Sequence, residues 1–258
     1  YQAFGHHFDF IAIPIIKKRL RMDTSQVIIN EERPQLTKHL ATRFKEKIGQ
    51  NVNLLGEVVL GNEEADHRYH HYLEALESPD INYISVKISG IYAQTHALNY
   101  EESFPELVSR MSALYQKAID FPYTDEDGIK RSKFINLDME EYKDAHFTLR
   151  LFKAVLNLPQ FKNYSAGIVV QAYLPDAYDF QTELLEFAKA RIDGGGAPIK
   201  MRLVKGCNLE METVISSLKG WPNPIRPSKT EVDANYLCLL ERGLMPENAR
   251  VLHLGAAS

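Results

Sequence analysis

Short apolar runs alternate along this chain with longer segments that have helical spacing. From residue 51 onward the apolar runs predict six strands, at residues 51–57, 84–89, 133–140, 167–173, 198–206 and 250–256. Apolar positions three or four residues apart predict helices between them, at residues 63–77, 104–119, 144–156, 180–192 and 233–242. Strands that alternate with helices are typical of βαβ units, whose strands are parallel. The pattern therefore predicts an α/β protein with a parallel sheet.

The first fifty residues have a different character. Residues 31–47 are rich in charge, and Leu36, Leu40 and Phe44 follow one another at four-residue spacing. This spacing predicts an amphipathic helix that lies on another surface. We therefore expect an N-terminal helical arm at residues 1–50 and a sheet domain at residues 51–258.

Three of the predicted strands alternate apolar and polar side chains. The polar faces carry Ser85, Lys87 and Ser89, then Asn136, Asp138 and Glu140, then Lys200, Arg202 and Val204. An open sheet covered by helices on both sides would be apolar on both faces. Right-handed crossovers leave a closed barrel as the main alternative, with the polar faces lining its lumen. We predict a (βα)₈ TIM-like barrel.

The lumen charges Lys87, Asp138 and Arg202 form the first candidate site. Charges inside a protein are costly unless they are paired or meet a polar ligand. Two cations and one carboxylate near the carboxyl ends of barrel strands suit an anionic substrate or intermediate. Two alternatives stay open: a structural ion-pair network in a non-catalytic barrel, and a Schiff-base aldolase or lyase that uses Lys87 as its nucleophile.

Two further motifs carry less weight. Gly194, Gly195 and Gly196 follow a predicted helix and precede a strand, which is the reverse of a nucleotide-binding loop. A helix stop explains these glycines better. His67 and His71 are four residues apart on a predicted helix, but no matching ligand cluster occurs elsewhere in the sequence. We therefore predict no metal site.

Composition narrows the class of protein. The 258 residues carry a formal net charge of -4, which argues against a nucleic-acid binder, because such proteins usually present a basic surface. Cys207 and Cys238 are the two cysteines and do not make a disulfide framework, so a reducing compartment is expected. No apolar run approaches the roughly 20 residues needed to span a bilayer. These features predict a cytoplasmic protein.

Five strand strings carry a resemblance to a known family. They are residues 53–57 (NLLGE), 83–89 (YISVKIS), 136–142 (NLDMEEY), 170–174 (VQAYL) and 198–206 (PIKMRLVKG). In order and spacing they resemble the strand motifs of the proline dehydrogenase family. The residues of these motifs are most similar to those of the proline dehydrogenase domain of bifunctional enzymes that continue into a pyrroline-5-carboxylate dehydrogenase domain.

This resemblance implies an FAD-binding barrel that oxidises L-proline to Δ1-pyrroline-5-carboxylate by hydride transfer to flavin N5, the first step of proline catabolism. Lys87 and Asp138 would line the substrate pocket and pair with each other. Arg202 would lie against the flavin near N5. The family further implies a quinone as electron acceptor, a peripheral association with the inner membrane, and an aldehyde dehydrogenase domain in the parent chain.

The cofactor itself would be held by residues on two neighbouring strands and the loop beyond them. Gln171 would hydrogen-bond the isoalloxazine ring, and Lys205 with Gly206 would bind the cofactor at the exit of the fifth barrel strand. Lys229, in the following loop, would touch the adenosine end.

The sequence departs from the family pattern in two places. Asn208 stands where many members have a tyrosine that packs on the substrate ring. The strand at residues 250–256 would be the sixth of eight, and the paired-arginine motif that binds the proline carboxylate in the family does not follow it. We therefore expect a barrel truncated after strand six, and a chain that oxidises proline poorly on its own.

Overall fold

The computed structural model describes residues 9–24, 29, 33–54, 59, 61–93, 95 and 97–257. The chain divides into two compact units, residues 1–50 and residues 51–258. Residues 55–57 of the first predicted strand and residues 31–32 of the predicted amphipathic helix lie outside the described residues.

The N-terminal unit contains two helices, α1 (Asp9–Thr24) and α2 (Arg33–Lys45). α1 includes Pro14 within its span. In α2, Leu40 is buried while Phe44 is largely exposed. The predicted four-residue spacing therefore corresponds to a helix in which one of the apolar side chains is fully covered.

The second unit is built from strands and helices in alternation. Its strands are β1 (Val52–Asn53), β2 (Tyr83–Lys87), β3 (Tyr123–Thr124), β4 (Lys130–Arg131), β5 (Phe134–Asp138), β6 (Gly167–Gln171), β7 (Ile199–Val204) and β8 (Leu252–Ala256). Its helices are α3 (Asn62–Glu77), α4 (Ile88–Ile91), α5 (Tyr100–Asp120), α6 (Ala145–Leu156), α7 (Ala177–Asp193), α8 (Leu209–Lys219), α9 (Lys229–Leu244) and α10 (Pro246–Ala249).

A six-stranded parallel sheet organises this unit, with the strand order β1-β2-β5-β6-β7-β8. β3 and β4 form a separate antiparallel pair. The sequence order of the parallel strands is also their spatial order, as successive βαβ units in a barrel require. Within the described residues, β1 and β8 are the two edges of the sheet.

The register between strands confirms the predicted division of faces. Lys87 is opposite Asp138 across β2 and β5, and Val169 is opposite Arg202 across β6 and β7. The alternate side chains are fully buried against the helices: Ile84, Val86, Ile135, Leu137, Ile168, Val170, Ile199, Met201 and Leu203. The polar set therefore shares the other face, which we call the lumen face.

Several features differ from the sequence prediction, among them the β3–β4 pair, which the apolar runs did not indicate. β2 ends at Lys87 and α4 begins at Ile88, so the strand alternation does not extend to Ile88 and Ser89. α8 is absent from the predicted helices, because its polarity is reversed: Glu212 and Ser216 are buried while Met211, Val214 and Leu218 are exposed. A helix with that arrangement lacks the apolar inner stripe on which sequence prediction relies.

The amino end of the sheet is closed by a cluster around Arg191. Its buried guanidinium donates hydrogen bonds to the carbonyls of Leu156, Phe161, Lys162, Tyr164 and Ala197. α7 ends beside it at Asp193, and the Gly196 amide donates to the Arg191 carbonyl. Gly195 has a φ of +75°, so the glycine run is a helix stop, as predicted.

The longest helix within the described residues is α5, with 21 residues. Neither α5 nor any other described helix is long and apolar enough to cross a membrane.

Candidate active site

Asp138, the last residue of β5, is the centre of a polar cluster on the lumen face. Its Oδ1 accepts hydrogen bonds from Asn136 Nδ2 at 2.7 Å, from Arg202 Nη2 at 2.7 Å and from Ser85 Oγ at 3.1 Å. The carboxyl is buried, and this burial raises its pKa, while the nearby Arg202 guanidinium opposes the rise. The cluster therefore joins β2, β5 and β7 through one carboxylate.

Ser85 extends the same cluster toward β1. Its hydroxyl lies 3.4 Å from Arg202 Nη1 and accepts a hydrogen bond from Asn51 Nδ2 at 2.8 Å. Ser85 is fully buried. Arg202 is consequently held from two strands, at its Nη2 by Asp138 and at its Nη1 by Ser85.

Lys87 has a different partner from the one expected. Its Nζ lies 2.7 Å from Glu140 Oε1, and the other carboxylate oxygen of Glu140 accepts a hydrogen bond from Ser89 Oγ. Although Lys87 and Asp138 are register partners, the expected pairing between them is replaced by two separate pairs, Lys87–Glu140 and Arg202–Asp138. Arg202, Asn136 and Ser85 all donate to the same oxygen of Asp138, Oδ1.

Gln171 ends β6 between these pairs. Its Nε2 donates to the carbonyls of Met139 and Glu140, each at 3.2 Å. Its Oε1 is buried and has no hydrogen-bond partner among the described residues. Because buried polar atoms are normally paired, this oxygen has an unused capacity to accept a hydrogen bond.

The chain leaves β7 through Lys205 and Gly206. Gly206 has a φ of +126°, and a Cβ at this position would lie 2.4 Å from the Tyr173 ring. The Tyr173 amide donates to the Lys205 carbonyl at 2.8 Å. Only glycine therefore allows the chain to pass this closely over Tyr173.

Asp233 brings Lys205 and Lys229 together. Its Oδ1 lies 2.7 Å from Lys205 Nζ, and its Oδ2 is paired with Lys229 Nζ. These two hydrogen-bonded lysines hold the pKa of Asp233 below its usual value. Lys229 is the first residue of α9, whose N-cap Ser228 accepts a hydrogen bond from the Glu231 amide. The two lysines expected to bind a cofactor thus share one carboxylate.

Lys200 adds a further cation that sequence analysis did not single out. Its Nζ lies 5.3 Å from the centre of the Tyr83 ring and 5.5 Å from that of Phe134. Burial lowers its pKa, and the nearby Arg202 lowers it further. Its position on the predicted polar face of β7, two residues before Arg202, was the signal that could have identified it.

The other residues of the site differ in whether the sequence pattern indicated them. Ser85, Asn136 and Glu140 stood on predicted polar faces, so their presence near the charges followed from the alternation. Asp233 had no signal, because its role depends on how α9 lies against the exit of β7.

The charges on the lumen side give the site its chemical character. Lys87, Lys200 and Arg202 are cations, and Asp138 and Glu140 are carboxylates, which leaves one positive charge in excess. Such a surface favours an anionic ligand.

Within the described part of the chain, no group of three or more His, Cys, Asp or Glu side chains could hold a metal ion. The His67 and His71 rings lie next to each other on α3, with their centres 4.3 Å apart and their planes tilted by 49°.

Solved structures offer close relatives of this fold. Proline utilization A (PutA) from Corynebacterium freiburgense is 41% identical, with a TM-score of 0.85, over 93% of this chain and 24% of that chain. PutA from Bdellovibrio bacteriovorus, solved after inactivation by N-propargylglycine, is 30% identical, with a TM-score of 0.80, over 95% of this chain and 26% of that chain. The chain therefore spans about a quarter of the length of these relatives.

More distant structures share the fold alone. PutA from Bradyrhizobium japonicum has a TM-score of 0.68 at 23% identity, over 81% of this chain. None of the curated proteins compared matches the chain. The family model described as proline dehydrogenase matches residues 36–258, which is most of the sequence. The chain belongs to the proline dehydrogenase family.

Proposed function

We propose that this chain forms the substrate and cofactor face of an FAD-dependent enzyme that oxidises L-proline to Δ1-pyrroline-5-carboxylate. The observation that carries the proposal is the linked lumen cluster, in which Arg202 and Asp138 are paired beside Lys87 in a chain of this family. Proline carries an anionic carboxylate. The excess positive charge of the cluster suits it.

The residues present fit a flavin. The buried, unpaired Oε1 of Gln171 would accept a hydrogen bond from the isoalloxazine ring. Lys205 would supply positive charge to the cofactor at the exit of β7, Lys229 would touch its adenosine end, and Gly206 would allow it to approach the backbone. When bound, FAD would accept a hydride at N5 from C5 of proline.

The side chains around the reacting groups have distinct tasks in this proposal. Lys87 would bind the substrate carboxylate. Arg202 would stabilise the negative charge that develops on the acceptor side during hydride transfer. Asp138 would hold Arg202 in the orientation that this requires, with Ser85 supporting it from the neighbouring strand.

The broader setting follows the family and is proposed at the same level. We expect a quinone to take the electrons, a cytoplasmic location that includes contact with the inner membrane surface, and an aldehyde dehydrogenase domain in the parent protein. The chain spans only about a quarter of its solved relatives. Because β1 and β8 are open edges within the described residues, we propose that the 258-residue chain alone turns proline over slowly.

The two alternatives make different demands on the same residues. A Schiff-base enzyme would need Lys87 as a free amine, whereas its nitrogen is bonded to Glu140 at 2.7 Å. A non-catalytic barrel is compatible with two satisfied ion pairs, but it does not account for the match of the chain to an enzyme family. Both alternatives are therefore weaker than the flavoenzyme.

The visible spectrum of the flavin tests the proposal. We would compare the 258-residue chain with a chimaera that appends the segment following the matched region in the Corynebacterium freiburgense protein. Each is mixed with FAD and recorded anaerobically before and after L-proline, with D-proline as the control. The chimaera should hold flavin that L-proline bleaches, and the shorter chain should bleach far more slowly.

Variants assign the roles within that experiment. Lys87→Ala and Arg202→Ala should retain flavin but lose bleaching, while Lys130→Ala, at an exposed position in β4, should behave as the parent. Flavin that binds but ignores L-proline would contradict the substrate. A chimaera without flavin would contradict the cofactor, and borohydride trapping of a carbonyl compound on Lys87 would then identify a Schiff-base enzyme.

A further inference from the structure

Glu140 uses both oxygens of its side chain to hold neighbouring groups. Oε1 lies 2.7 Å from Lys87 Nζ, and Oε2 accepts the Ser89 hydroxyl. The carboxylate is therefore fixed in direction as well as in position, although about a third of the side chain remains exposed. It lies two residues beyond Asp138, at the carboxyl end of β5.

The backbone of Glu140 holds a second candidate site residue. Its carbonyl accepts a hydrogen bond from Gln171 Nε2 at 3.2 Å. Glu140 thus contacts a side chain from β2 through its carboxylate and a side chain from β6 through its carbonyl. These strands flank β5 on either side.

Lys87 needs an external partner to hold a defined position. A lysine side chain is a compact charge on a flexible four-carbon stem, and ordering it costs rotamer entropy. β2 ends at Lys87, so the strand beyond it does not confine the side chain. The register partner Asp138 is already bonded to Arg202, Asn136 and Ser85. Those three bonds all go to Oδ1 of Asp138, and the Lys87 ammonium pairs with Glu140 instead.

We propose that Glu140 is a positioning residue that holds the Lys87 ammonium for the carboxylate of the substrate and keeps it away from Asp138. The inference rests on the proposed function. An ammonium has three donors, so one bond to Glu140 leaves others for a ligand. Without Glu140, Lys87 would turn toward Asp138 and compete with Arg202 for that carboxylate.

The test replaces Glu140 in the flavin-loaded chimaera. Glu140→Gln keeps the shape of the side chain and removes its charge. We expect the KM for L-proline to rise about tenfold, while kcat and flavin content change less than about threefold. Glu141→Gln removes the same charge one residue away, where the carboxylate pairs with Lys143, and should leave KM within about twofold.

A double-mutant cycle separates positioning from a general structural effect. In a Lys87→Met background, Glu140→Gln should add less than about twofold to the Kd of cyclopentanecarboxylate, because the group that it positions is gone. Equal effects in both backgrounds would overturn the inference. Binding of cyclopentanecarboxylate, followed through the flavin spectrum, gives a second readout that does not depend on turnover, and its Kd should rise with KM.

A second variant keeps the test valid if Glu140→Gln does not retain flavin. Ser89→Ala leaves every charge in place and frees one oxygen of Glu140, so KM should rise about threefold at unchanged flavin content. An unchanged KM in this variant would overturn the inference. Failure of the parent protein to be bleached by L-proline would instead contradict the proposed function, so the two failures are distinguishable.

Discussion

Arg202 reaches across β6 to pair with Asp138, with 2.7 Å between Nη2 and Oδ1. The two residues are on β7 and β5, which are not neighbours in the sheet. Val169 lies opposite Arg202 on the strand between them, and its short side chain does not carry a competing polar group. The guanidinium is therefore held from across the lumen face, and its orientation depends on the ionisation of one buried carboxylate.

That dependence predicts how activity falls in acid. Because burial raises the pKa of Asp138, the carboxylate is protonated at a higher pH than an ordinary aspartate and then releases Arg202. The rate of proline-driven flavin reduction should fall as the pH decreases through this raised pKa. Asp138→Asn should be slower by at least about tenfold at neutral pH and should lack this acid limb. Stopped-flow absorbance from about pH 4 to about pH 9 measures both.

The same group should not unfold the protein over this range. A carboxyl whose folded pKa exceeds its unfolded pKa binds protons more readily in the folded state, so protonation of Asp138 favours folding as the pH falls. Circular dichroism should therefore stay constant while the rate declines. Asp193→Asn, at an exposed position, is the matched control and should keep the acid limb of the parent. An identical limb in Asp138→Asn would contradict the assignment.

Gly206 predicts a loss of both stability and flavin on substitution. Gly206→Ala would place a Cβ 2.4 Å from the Tyr173 ring at a φ of +126°. We expect a cost of about 3 kcal/mol in the free energy of unfolding, together with weaker flavin retention. Gly220→Ala separates backbone strain from contact, because Gly220 has a φ of +65° and nothing within 4 Å of the added Cβ. It should cost about 1 kcal/mol. Urea unfolding and the flavin-to-protein absorbance ratio measure these effects.

Much of the site follows from strand periodicity. The alternation in residues 84–87, 135–138 and 199–204 was enough to put Lys87, Asp138 and Arg202 on one face, because side chains in a strand alternate strictly. Which charge pairs with which did not follow, since that depends on the strand order and on side-chain reach. Asp138 pairs with Arg202 across an intervening strand, and Lys87 pairs with a residue just beyond the strand end.

Other parts of the molecule give no usable pattern. α8 buries Glu212, which accepts a hydrogen bond from the Tyr142 amide, and exposes apolar side chains. Asp233 joins Lys205 and Lys229 only because α9 returns to the exit of β7. Both features depend on tertiary contacts between distant segments, and local propensity carries no information about such contacts.

Replacing Arg191 should lower the stability of the fold without touching the candidate site. Its guanidinium is buried without a carboxylate partner among the described residues and instead donates to five backbone carbonyls. Arg191→Met would remove this donor from all five carbonyls, of which only those of Phe161 and Lys162 also accept a backbone amide of the described residues, so we expect a loss of about 4 kcal/mol in the free energy of unfolding. Arg150→Met removes an exposed partner of Glu101 and should leave the urea midpoint close to that of the parent. Equal urea midpoints for the two variants would contradict this role.

Lys133 predicts a pH dependence of stability at the alkaline end. Its side chain is buried and donates to the Ser78 carbonyl, and burial lowers its pKa from 10.5 to about 8. Between these two values the unfolded chain binds more protons than the folded chain, so stability rises with pH, by roughly 3 kcal/mol in total for this group. Lys133→Met should remove that contribution. Urea titrations from about pH 7 to about pH 10 should therefore show the free energy of unfolding of the parent rising relative to that of the variant. Lys130→Met, at an exposed position, should follow the parent. Parallel pH profiles for the parent and Lys133→Met would show that folding does not lower the pKa of this lysine.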